Sequence, residues 1–496
     1  MGLGLVLLES ASKENIILNE KPDITFFKAV YNMESNITNE ILPQYFKSQP
    51  NFGKRMTVNI SKNGDMIEDM SLYFELPEIP QSNHSSLPKG IKKFAWVDKI
   101  GLAIIKNIDI EIGGILISRH YNDWLNIYNE LTVSDMNSYN KMIGSNQSIN
   151  KYTNGKNNYS LHVPLSFFFN LNNGLSNNNP LPLIALTKQD VKIHIELNDF
   201  SACYKESPTN YFTINSYICL YRENETIRQN VNGTISIGIF VYFDINTNRV
   251  YYDSVYNTFL IPQSNDVKYN IVGDISYFTV MPSLQSIIVK DENYFSNNIY
   301  SVLKNAYLLV NYIYLDSNER WYFMNNEINY IIPIVLNVLS KDINSMNSNY
   351  KLQLFNMHGN LIWRAQLSNN ITINDVFNYS SLPLTLNSEP LIQSNKLVIN
   401  SIPRCELSNN EYYTVLQSYI NKNTSNNNIY QYNFGLNKDF IKPQGTLNFS
   451  MIDNTYVQLN LNKLVNYQNT INVKAYGIYY TIFVVKNGNS SIKFYN

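Results

Sequence analysis

The sequence predicts an all-β protein built from antiparallel sandwiches or barrels. Apolar and polar residues alternate along many short runs, and the chain contains 38 tyrosines, a residue type that favours strands. Asparagine-rich segments, which favour turns, separate these runs. Helical patterns are few and short, so a doubly wound α/β fold with crossover helices is disfavoured. Because 496 residues are many for one core, two domains are expected.

Period-two alternation identifies the individual strands. In Arg55–Ser61 and in Val191–Leu197 every second side chain is apolar, while most of the residues between them are polar. Each run therefore predicts a strand with one packed face and one face in water. The same reasoning predicts strands at Ile235–Phe243, Tyr312–Leu315, Tyr350–Phe355, Thr446–Ile452 and Tyr480–Val485.

A hairpin is predicted around Gly113 and Gly114. Isoleucines alternate with acidic residues before the glycine pair, and the alternation resumes after it at Ile115 and Ile117. Two consecutive glycines readily adopt the positive φ angles of a two-residue turn. The glycines are therefore interpreted as part of a scaffold and not as a ligand site.

A short helix is predicted directly after this hairpin. Asn122 is placed to cap the helix, and Asp123 is favourable in its first turn. The pattern predicts that Trp124 anchors the helix on a sheet. Apolar residues follow helical spacing at Trp124, Ile127, Tyr128 and Leu131.

Composition disfavours several classes of function. Lys+Arg 38 and Asp+Glu 39 are spread along the chain, so no basic face indicates direct binding of nucleic acid. The cysteines Cys203, Cys219 and Cys405 are odd in number and lack a CxxC spacing, which predicts free thiols in a reducing compartment. The N-terminal MGLGLVLLES has neither a basic region nor a cleavage pattern, so a soluble, cytoplasmically made protein is expected.

No catalytic, cofactor-binding or metal-binding residue is predicted. His194 and Glu196 form an HxE triplet, but the PCxxC partner of a zinc deaminase does not follow. The adjacent Glu68 and Asp69 are expected to face opposite sides of a strand, which disfavours a general acid/base pair. The histidines are expected to be solvated, because no two of them have a metal-ligand spacing. They are His84, His120, His162, His194 and His358.

Several longer segments resemble the double jelly-roll major capsid proteins of nucleocytoplasmic large DNA viruses. The N-terminal half of that family is matched by PDITFFKAVY (22–31), NFGKRMTVNISKNGDMIEDMSLYFELP (51–77) and IGGILISRHYNDWLNIYNELT (112–132). The likeness continues through VPLSFFF (163–169), LPLIALTKQDVKIHIEL (181–197), NYIYLDSNERWYF (311–323), LIWRAQ (361–366) and YNFGLNKDFIKPQGTLNFSMID (432–453). Met451 stands where the family pattern has an arginine, so two roles stay open, a major capsid protein and a divergent or minor paralogue.

The resemblance implies two consecutive antiparallel jelly-roll β-sandwiches with a few short helices. It implies an N-terminal arm at residues 1–23, a first jelly roll at 24–316 with an insertion at about 199–300, and a second jelly roll at 317–496. The YIYLD segment is expected to close the first roll. The insertion is expected to be ordered, with strands at Thr213–Tyr221 and Ile235–Phe243, and to lie on the outer surface.

The implied function is structural. Three copies would form a pseudo-hexagonal homotrimeric capsomer of an icosahedral shell, assembled in the host cytoplasm and retained in the virion. Neighbouring capsomers, minor capsid proteins and, through the arm, the internal viral membrane are the implied partners, with no enzymatic activity and no cofactor. The alternative is a carbohydrate-binding β-sandwich used for attachment, whose exposed tyrosines stack on sugar rings.

Overall fold

The structure is a computed structural model. It describes residues 35–81, 92–171, 179–263, 266–283, 289–290, 302–381, 389–406, 409–421, 423–424, 426, 428–436, 443–467 and 469–493. The predicted N-terminal arm, the first residues of the predicted first roll up to position 34, and His84 lie outside these residues.

The strands in chain order are β1 (Thr38–Tyr45), β2 (Arg55–Asn59), β3 (Met66–Leu76), β4 (Lys93–Trp96), β5 (Ile105–Ile112), β6 (Ile115–Tyr121), β7 (Tyr159–Pro164), β8 (Val191–Leu197), β9 (Tyr204–Ser207), β10 (Asn210–Thr213), β11 (Thr226–Val231), β12 (Thr234–Asp244), β13 (Arg249–Tyr256), β14 (Ile271–Gly273), β15 (Thr279–Val280), β16 (Val289–Lys290), β17 (Lys304–Tyr314), β18 (Ile328–Asn337), β19 (Lys341–Ile343), β20 (Asn347–Lys351), β21 (Met357–Leu367), β22 (Ile392–Ile399), β23 (Ile402–Pro403), β24 (Ile429–Asn433), β25 (Leu447–Asn448), β26 (Thr455–Leu461), β27 (Ile471–Lys486) and β28 (Asn489–Lys493).

The α-helices are short and lie between strands. They are α1 (Ile100–Ala103), α2 (Asn122–Thr132), α3 (Met136–Ile143), α4 (Gln147–Asn150), α5 (Ser317–Asn325), α6 (Ser368–Thr372) and α7 (Gln417–Asn421). A π-helical turn at Tyr412–Leu416 runs directly into α7, and 3-10 turns occur at Leu183–Ala185, Phe200–Ala202, Val267–Tyr269 and Phe449–Met451. None of the helices in the described part of the chain is both long and apolar enough to cross a membrane.

Two antiparallel sandwiches share one strand order. The sheets of the first sandwich are β1-β17-β3-β7 and β2-β8-β5-β6, and those of the second are β18-β27-β21-β24 and β20-β26-β22-β23. If the eight strands of each sandwich are numbered along the chain, both follow the orders 1-8-3-6 and 2-7-4-5. The predicted all-β class with two jelly rolls is therefore confirmed. The strand predicted at Tyr312–Leu315 corresponds to the end of β17, which is the eighth strand of the first sandwich.

The insertion between β8 and β17 forms a sheet of its own, in the order β15-β14-β11-β12-β13-β10-β16. The segment that starts at β15 pairs with β14 through Val280 and Ile271, and its next residues pair with the chain at the end of β10 through Pro282 and Ile214. The sheet therefore closes on itself as a small barrel. Its interior is a separate apolar core that includes Phe212, Ile227, Phe240, Tyr252 and Ile271.

Most of the sequence predictions for strands hold. Gly113 and Gly114 have φ angles of 59° and 86° and join β5 to β6, as predicted. Alternation is also confirmed in β8, where every second residue is buried. Two strand predictions are wrong in part, because β20 ends at Lys351 and because only Leu447 and Asn448 pair as a strand before a 3-10 turn. The Asn448 side chain accepts a hydrogen bond from the Ser450 N–H (3.0 Å), which favours that turn over a longer strand.

The expectation that Glu68 and Asp69 face opposite sides is wrong. The register of β3 against β17 shifts at this point, with Ile67 opposite Tyr312 and Asp69 opposite Asn311. Glu68 is the extra residue of a β-bulge, so both carboxylates reach the amide nitrogen of Asn311, at 2.9 and 3.4 Å. Burial and the neighbouring Asp69 raise the pKa of Glu68. A bulge cannot be read from the alternation of one strand, because the partner strand decides it.

Candidate functional site: the contact between the sandwiches

Helix α2 leaves the first sandwich and packs on the second one. Trp124 is 1% exposed, and its ring centroid lies 5.2 Å from that of Tyr476 in β27. The anchoring role predicted for Trp124 is confirmed, but the sheet that receives it belongs to the other sandwich. The apolar cluster under α2 contains Trp124, Ile127, Tyr128 and Leu131 together with Ile362, Ile429, Tyr476 and Ile478 of the second sandwich.

A buried ion cluster lies beside this apolar contact. The Asp123 carboxylate accepts a hydrogen bond from Arg364 Nη2 at 2.9 Å, and Lys474 Nζ lies 3.1 Å from the same oxygen. The side chains of Asp123 and Arg364 are 8% and 5% exposed. The Arg364 guanidinium also lies over the ring of Tyr379, and Lys474 lies over the rings of Tyr121 and Tyr476. One carboxylate of the first sandwich thus compensates two cations of the second.

The electrostatics of the cluster favour full ionisation of its acid. Burial alone would raise the pKa of Asp123, but the charges of Arg364 and Lys474 outweigh burial and lower this pKa to about 2. The Arg364 pKa is raised by Asp123 although burial opposes that change. Burial lowers the pKa of Lys474. The negative faces of the surrounding aromatic rings attract the Arg364 and Lys474 cations, which adds to the stabilisation that the single carboxylate provides.

Further polar contacts fix both ends of α2. Asn122 is the first residue of the helix and not its cap, and its side chain accepts a hydrogen bond from the Asp123 N–H at 2.8 Å. At the C-terminal end, the Leu131 carbonyl accepts a hydrogen bond from the Thr424 N–H of the second sandwich at 3.1 Å. Lys99 pairs with Glu130 and donates to Asn126. The helix is consequently held in one orientation between the two sandwiches.

The surfaces that correspond to α2 and to the sheet face beneath it are exposed or half-buried. A helix at the same topological place in the second sandwich, between its fifth and sixth strands, spans Tyr412–Asn421. Its outer side exposes the apolar residues Val415, Leu416, Tyr419 and Ile420. In the second sandwich, α2 covers one sheet face. The corresponding sheet face of the first sandwich has a row of aromatic rings on neighbouring strands, formed by Tyr45, Tyr307, Tyr73 and His162.

The residues that the sequence offered for catalysis are engaged in ordinary contacts. His194 lies between Thr57 Oγ1 (2.9 Å) and Glu111 Oε2 (3.1 Å), while Glu196 accepts hydrogen bonds from Lys106 and Asn107. The HxE pair therefore does not act together. Across the described ranges, His, Cys, Asp and Glu form no group of three that could hold a metal ion. The three cysteines are free thiols, as predicted.

The expectation of solvated histidines is wrong for two of the four that lie within the described residues. His120 and His358 are 4% and 0% exposed, and burial lowers the pKa of each to about 4. His120 stacks near Phe167, and His358 packs against Phe449 and Tyr479. His120 lies in β6 and His358 in β21, and residues distant in the sequence pack over both side chains. The spacing of neighbouring residues does not reveal such long-range packing.

Family comparisons agree with this architecture. Residues 25–245 match the family model described as "Major capsid protein N-terminus", and residues 319–490 match "Large eukaryotic DNA virus major capsid protein". The chain is 32% identical over 512 residues to "Probable capsid protein 4" of Acanthamoeba polyphaga mimivirus, covering 98% of each protein. The chain belongs to the major capsid protein family of nucleocytoplasmic large DNA viruses. The resemblance seen in the sequence is thereby confirmed.

This capsid family includes more distant relatives of the same length. The "Major capsid protein" of Phaeocystis pouchetii virus is 26% identical over 553 residues, with all of both chains covered. The solved "Faustovirus major capsid protein" has a TM-score of 0.61 with 10% identity, covering 97% of this chain and 96% of that one, and it shows the shared fold. The protein is accordingly a structural capsid protein of a large DNA virus, and its place is the virus particle.

Proposed function

We propose that this capsid protein assembles as a homotrimer whose six sandwiches form a pseudo-hexagonal capsomer of an icosahedral shell. The observation that supports this is an unmatched pair of surfaces. Within the chain, a helix of the first sandwich covers a sheet face of the second sandwich. The outer side of the equivalent helix of the second sandwich is exposed, and the aromatic rings on the equivalent sheet face of the first are exposed or half-buried. A neighbouring copy would bring them together.

The exposed helix has the character of a docking element. Val415, Leu416 and Ile420 are 47%, 44% and 38% exposed, and Tyr419 is 80% exposed. They occupy successive turns on one side, whereas Tyr413, Gln417 and Ser418 on the other side are buried. Four large apolar side chains that are neighbours on an exposed surface indicate that this surface binds another protein surface. In α2, the side that carries Trp124 and Tyr128 is buried against the second sandwich.

The receiving face is formed by the strands that correspond to those under α2. In the second sandwich the covered residues lie on the third, sixth and eighth strands, β21, β24 and β27. In the first sandwich these strands are β3, β7 and β17, which present Tyr73, His162 and Tyr307. Their ring centroids are 4.6 and 4.8 Å apart, so they form a continuous aromatic surface.

A contact of this kind joins copies head to tail, because the helix and the sheet face are different surfaces of one chain. Such an interface generates either a closed ring or an open filament. If the contact between chains repeats the geometry of the contact within a chain, the ring alternates first and second sandwiches. Three copies then give six sandwiches in pseudo-sixfold arrangement.

Complementation between two defective chains tests the proposal. The Leu416→Asp variant should lose the docking helix, and Tyr73→Asp should lose the receiving face, because each change places a charge in an apolar contact. Light scattering should show a trimer for the wild type and a monomer for either variant. An equimolar mixture should form a heterodimer, since one chain supplies an intact helix and the other an intact face. Leu436→Asp, at a side chain that is 93% exposed on another loop, is the matched control and should remain trimeric.

Two results would contradict the trimer contact. One is a trimer for Leu416→Asp with an unchanged melting temperature. The other is a mixture that stays monomeric although both variants are folded by circular dichroism. The complementation step separates loss of the contact from misfolding, because a misfolded chain would not recover an interface.

We further propose the domain limits 24–316 and 317–496, with an insertion at about 199–300 and an arm at residues 1–23 that faces an internal membrane. Neighbouring capsomers and minor capsid proteins are the proposed partners, the host cytoplasm is the proposed site of assembly, and no catalysis or direct nucleic-acid contact is assigned. Deleting residues 1–21 should impair particle assembly. Normal assembly of the truncated chain would remove the arm from the proposal.

The barrel formed by the insertion is proposed to lie on the outer surface of the capsomer. It is attached to the first sandwich at the end where the chain enters β10, and there Ser207 and Thr209 donate hydrogen bonds to Asp253. A decoration attached in this way leaves both jelly-roll cores undisturbed. Protease treatment of intact particles should cleave within residues 224–257. Complete protection of this range while the base of the capsomer is accessible would overturn the outward placement.

A further inference from the structure

Three loops meet at the end of the barrel that lies away from the jelly roll. The chain enters through β10 and leaves through β16, and Asn210 pairs with Lys290 at this lower end. Antiparallel order then brings the β10–β11, β12–β13 and β14–β15 connections to the opposite end. The Ile214 N–H donates to the Asn248 carbonyl at 2.9 Å, and the rings of Tyr221 and Phe278 are 5.1 Å apart, so the loops contact one another. This upper end is called the loop end.

The loop end exposes large apolar side chains from every one of these connections. The sequence predicted a strand over Thr213–Tyr221, but the strand ends at Thr213 and the rest is a loop. The exposed fractions are 70% for Tyr217, 62% for Ile218, 62% for Leu220, 59% for Ile245, 53% for Ile275 and 80% for Tyr277. An apolar concentration of this size on one end indicates an interaction surface.

A buried carboxylate holds two of the loops together. Glu225 is 0% exposed, and its Oε2 accepts a hydrogen bond from the Arg222 N–H at 2.7 Å. Its Oε1 accepts from the backbone N–H groups of Ile275 and Ser276, at 2.7 and 2.6 Å, and from the Ser276 hydroxyl. The turn that presents Ile275 and Tyr277 is consequently fixed before any partner arrives, which lowers the entropic cost of binding.

The backbone at Tyr277 is held in an unusual conformation. Its φ angle is 53°, a left-handed value that bulky residues rarely adopt. The Tyr277 N–H donates to the Gly273 carbonyl at 3.1 Å, which helps to keep this turn. A folded core gains nothing from a side chain that is 80% exposed, so the strained and exposed tyrosine indicates a role in recognition.

The chemistry of the loop end narrows the class of partner. Besides Glu225, the carboxylates of Asp244 and Asp274 are engaged, with Thr247 and Arg228 respectively. The exposed Arg222 and Glu223 are adjacent and opposite in charge. The most exposed large side chains of the loop end are therefore its aliphatic residues and tyrosines. Aliphatic side chains with flanking tyrosines are the composition that enters the interface of a bilayer.

We propose that the loop end of the barrel binds an uncharged lipid surface, with Ile218, Leu220 and Ile275 inserted among the lipid chains and the tyrosines at the headgroup level. This binding goes beyond the structural capsid role and does not depend on the number of copies in the capsomer. Since the loop end has balanced charges, binding should be insensitive to salt and should not require anionic lipid.

Vesicle flotation with the full chain tests the proposal. The wild type should float with phosphatidylcholine vesicles, and the triple variant Ile218→Ser, Leu220→Ser, Tyr277→Asn should show roughly a ten-fold or larger loss of bound protein. Asparagine suits the positive φ at position 277. The matched control is Val267→Ser with Leu260→Ser, two exposed apolar residues near the lower end of the barrel, which should float like the wild type.

Several outcomes would overturn the proposal. These are no flotation of the wild type, equal flotation of the triple variant and the wild type, or binding that appears only with anionic vesicles and disappears in salt. Release of the protein by free sugars would indicate a carbohydrate site instead. Light scattering without vesicles provides the remaining check: if the triple variant alone changes the oligomeric state, the loop end is a contact between copies and not a lipid site.

Discussion

Asp123 and Arg364 are 241 positions apart in the chain, yet their carboxylate and guanidinium atoms lie 2.9 Å apart in a buried site. Each sandwich contributes one charge of opposite sign, and Lys474 adds a second cation. Buried ion pairs add little to stability compared with apolar packing, but an unpaired buried charge is costly. The pair therefore penalises any arrangement in which α2 slides or rotates on the second sandwich.

Replacing the acid should expose that penalty. In Asp123→Asn, Arg364 and Lys474 stay buried without a counter-charge, and the free energy of unfolding should fall by about 3 to 5 kcal/mol. Chemical denaturation at neutral pH measures the change. Asp135→Asn is the matched control, because Asp135 is an exposed cap that accepts from the Ser138 N–H, a role that asparagine fills equally well. A loss below about 1 kcal/mol for Asp123→Asn would show that the cluster is not a specific lock.

Truncating the apolar anchor should have a comparable effect by another mechanism. Trp124→Ala removes a fully buried ring from the contact with Tyr476, and large-to-small core substitutions of this kind cost about 3 to 5 kcal/mol. The same substitution at Trp321, whose side chain is 66% exposed in α5, is the matched control and should cost little. Calorimetric melting of both variants provides the comparison. Equal shifts for the two tryptophans would mean that Trp124 is not an anchor.

The local part of this contact could be predicted from the sequence, and the long-range part could not. The glycine pair identifies the β5–β6 hairpin, and the change from alternating to helical spacing of apolar residues identifies α2. Both features can be predicted because turns and helices depend on neighbouring residues. The partner of Asp123 depends on packing between sandwiches. One signal was available: Leu361, Ile362, Trp363 and Ala365 break the alternation, and β21 is in fact buried on both faces. That near-continuous apolar run indicates a covered strand, in which Arg364 needs a buried partner.

The buried histidines should make the protein less stable in mild acid. Unfolded histidines take up protons near pH 6.5, whereas His120 and His358 resist protonation until about pH 4. The unfolded state therefore binds more protons between these values, and the free energy of unfolding falls as the pH drops, by about 3 kcal/mol per histidine. His358→Phe removes one of the two buried rings and should flatten this dependence. Parallel pH curves for His358→Phe and the wild type would refute the assignment.

Asp253 should change the pH dependence of stability in the opposite direction, so that its contribution to stability is lost as the pH rises. Burial raises the pKa of its carboxyl to about 7, although Ser207 and Thr209 donate hydrogen bonds to it. The folded state thus binds the proton more tightly than the unfolded chain, so this contribution to stability is full below about pH 4 and is lost as the pH rises towards 7. Asp253→Asn cannot ionise and should gain stability relative to the wild type by roughly 3 to 4 kcal/mol between pH 4 and pH 7. Melting temperatures of both proteins from pH 4 to pH 8 measure this difference, with Asp274→Asn as the control at a partly exposed carboxylate. If the difference between Asp253→Asn and the wild type did not grow with pH, the carboxyl would not be protonated in the folded barrel.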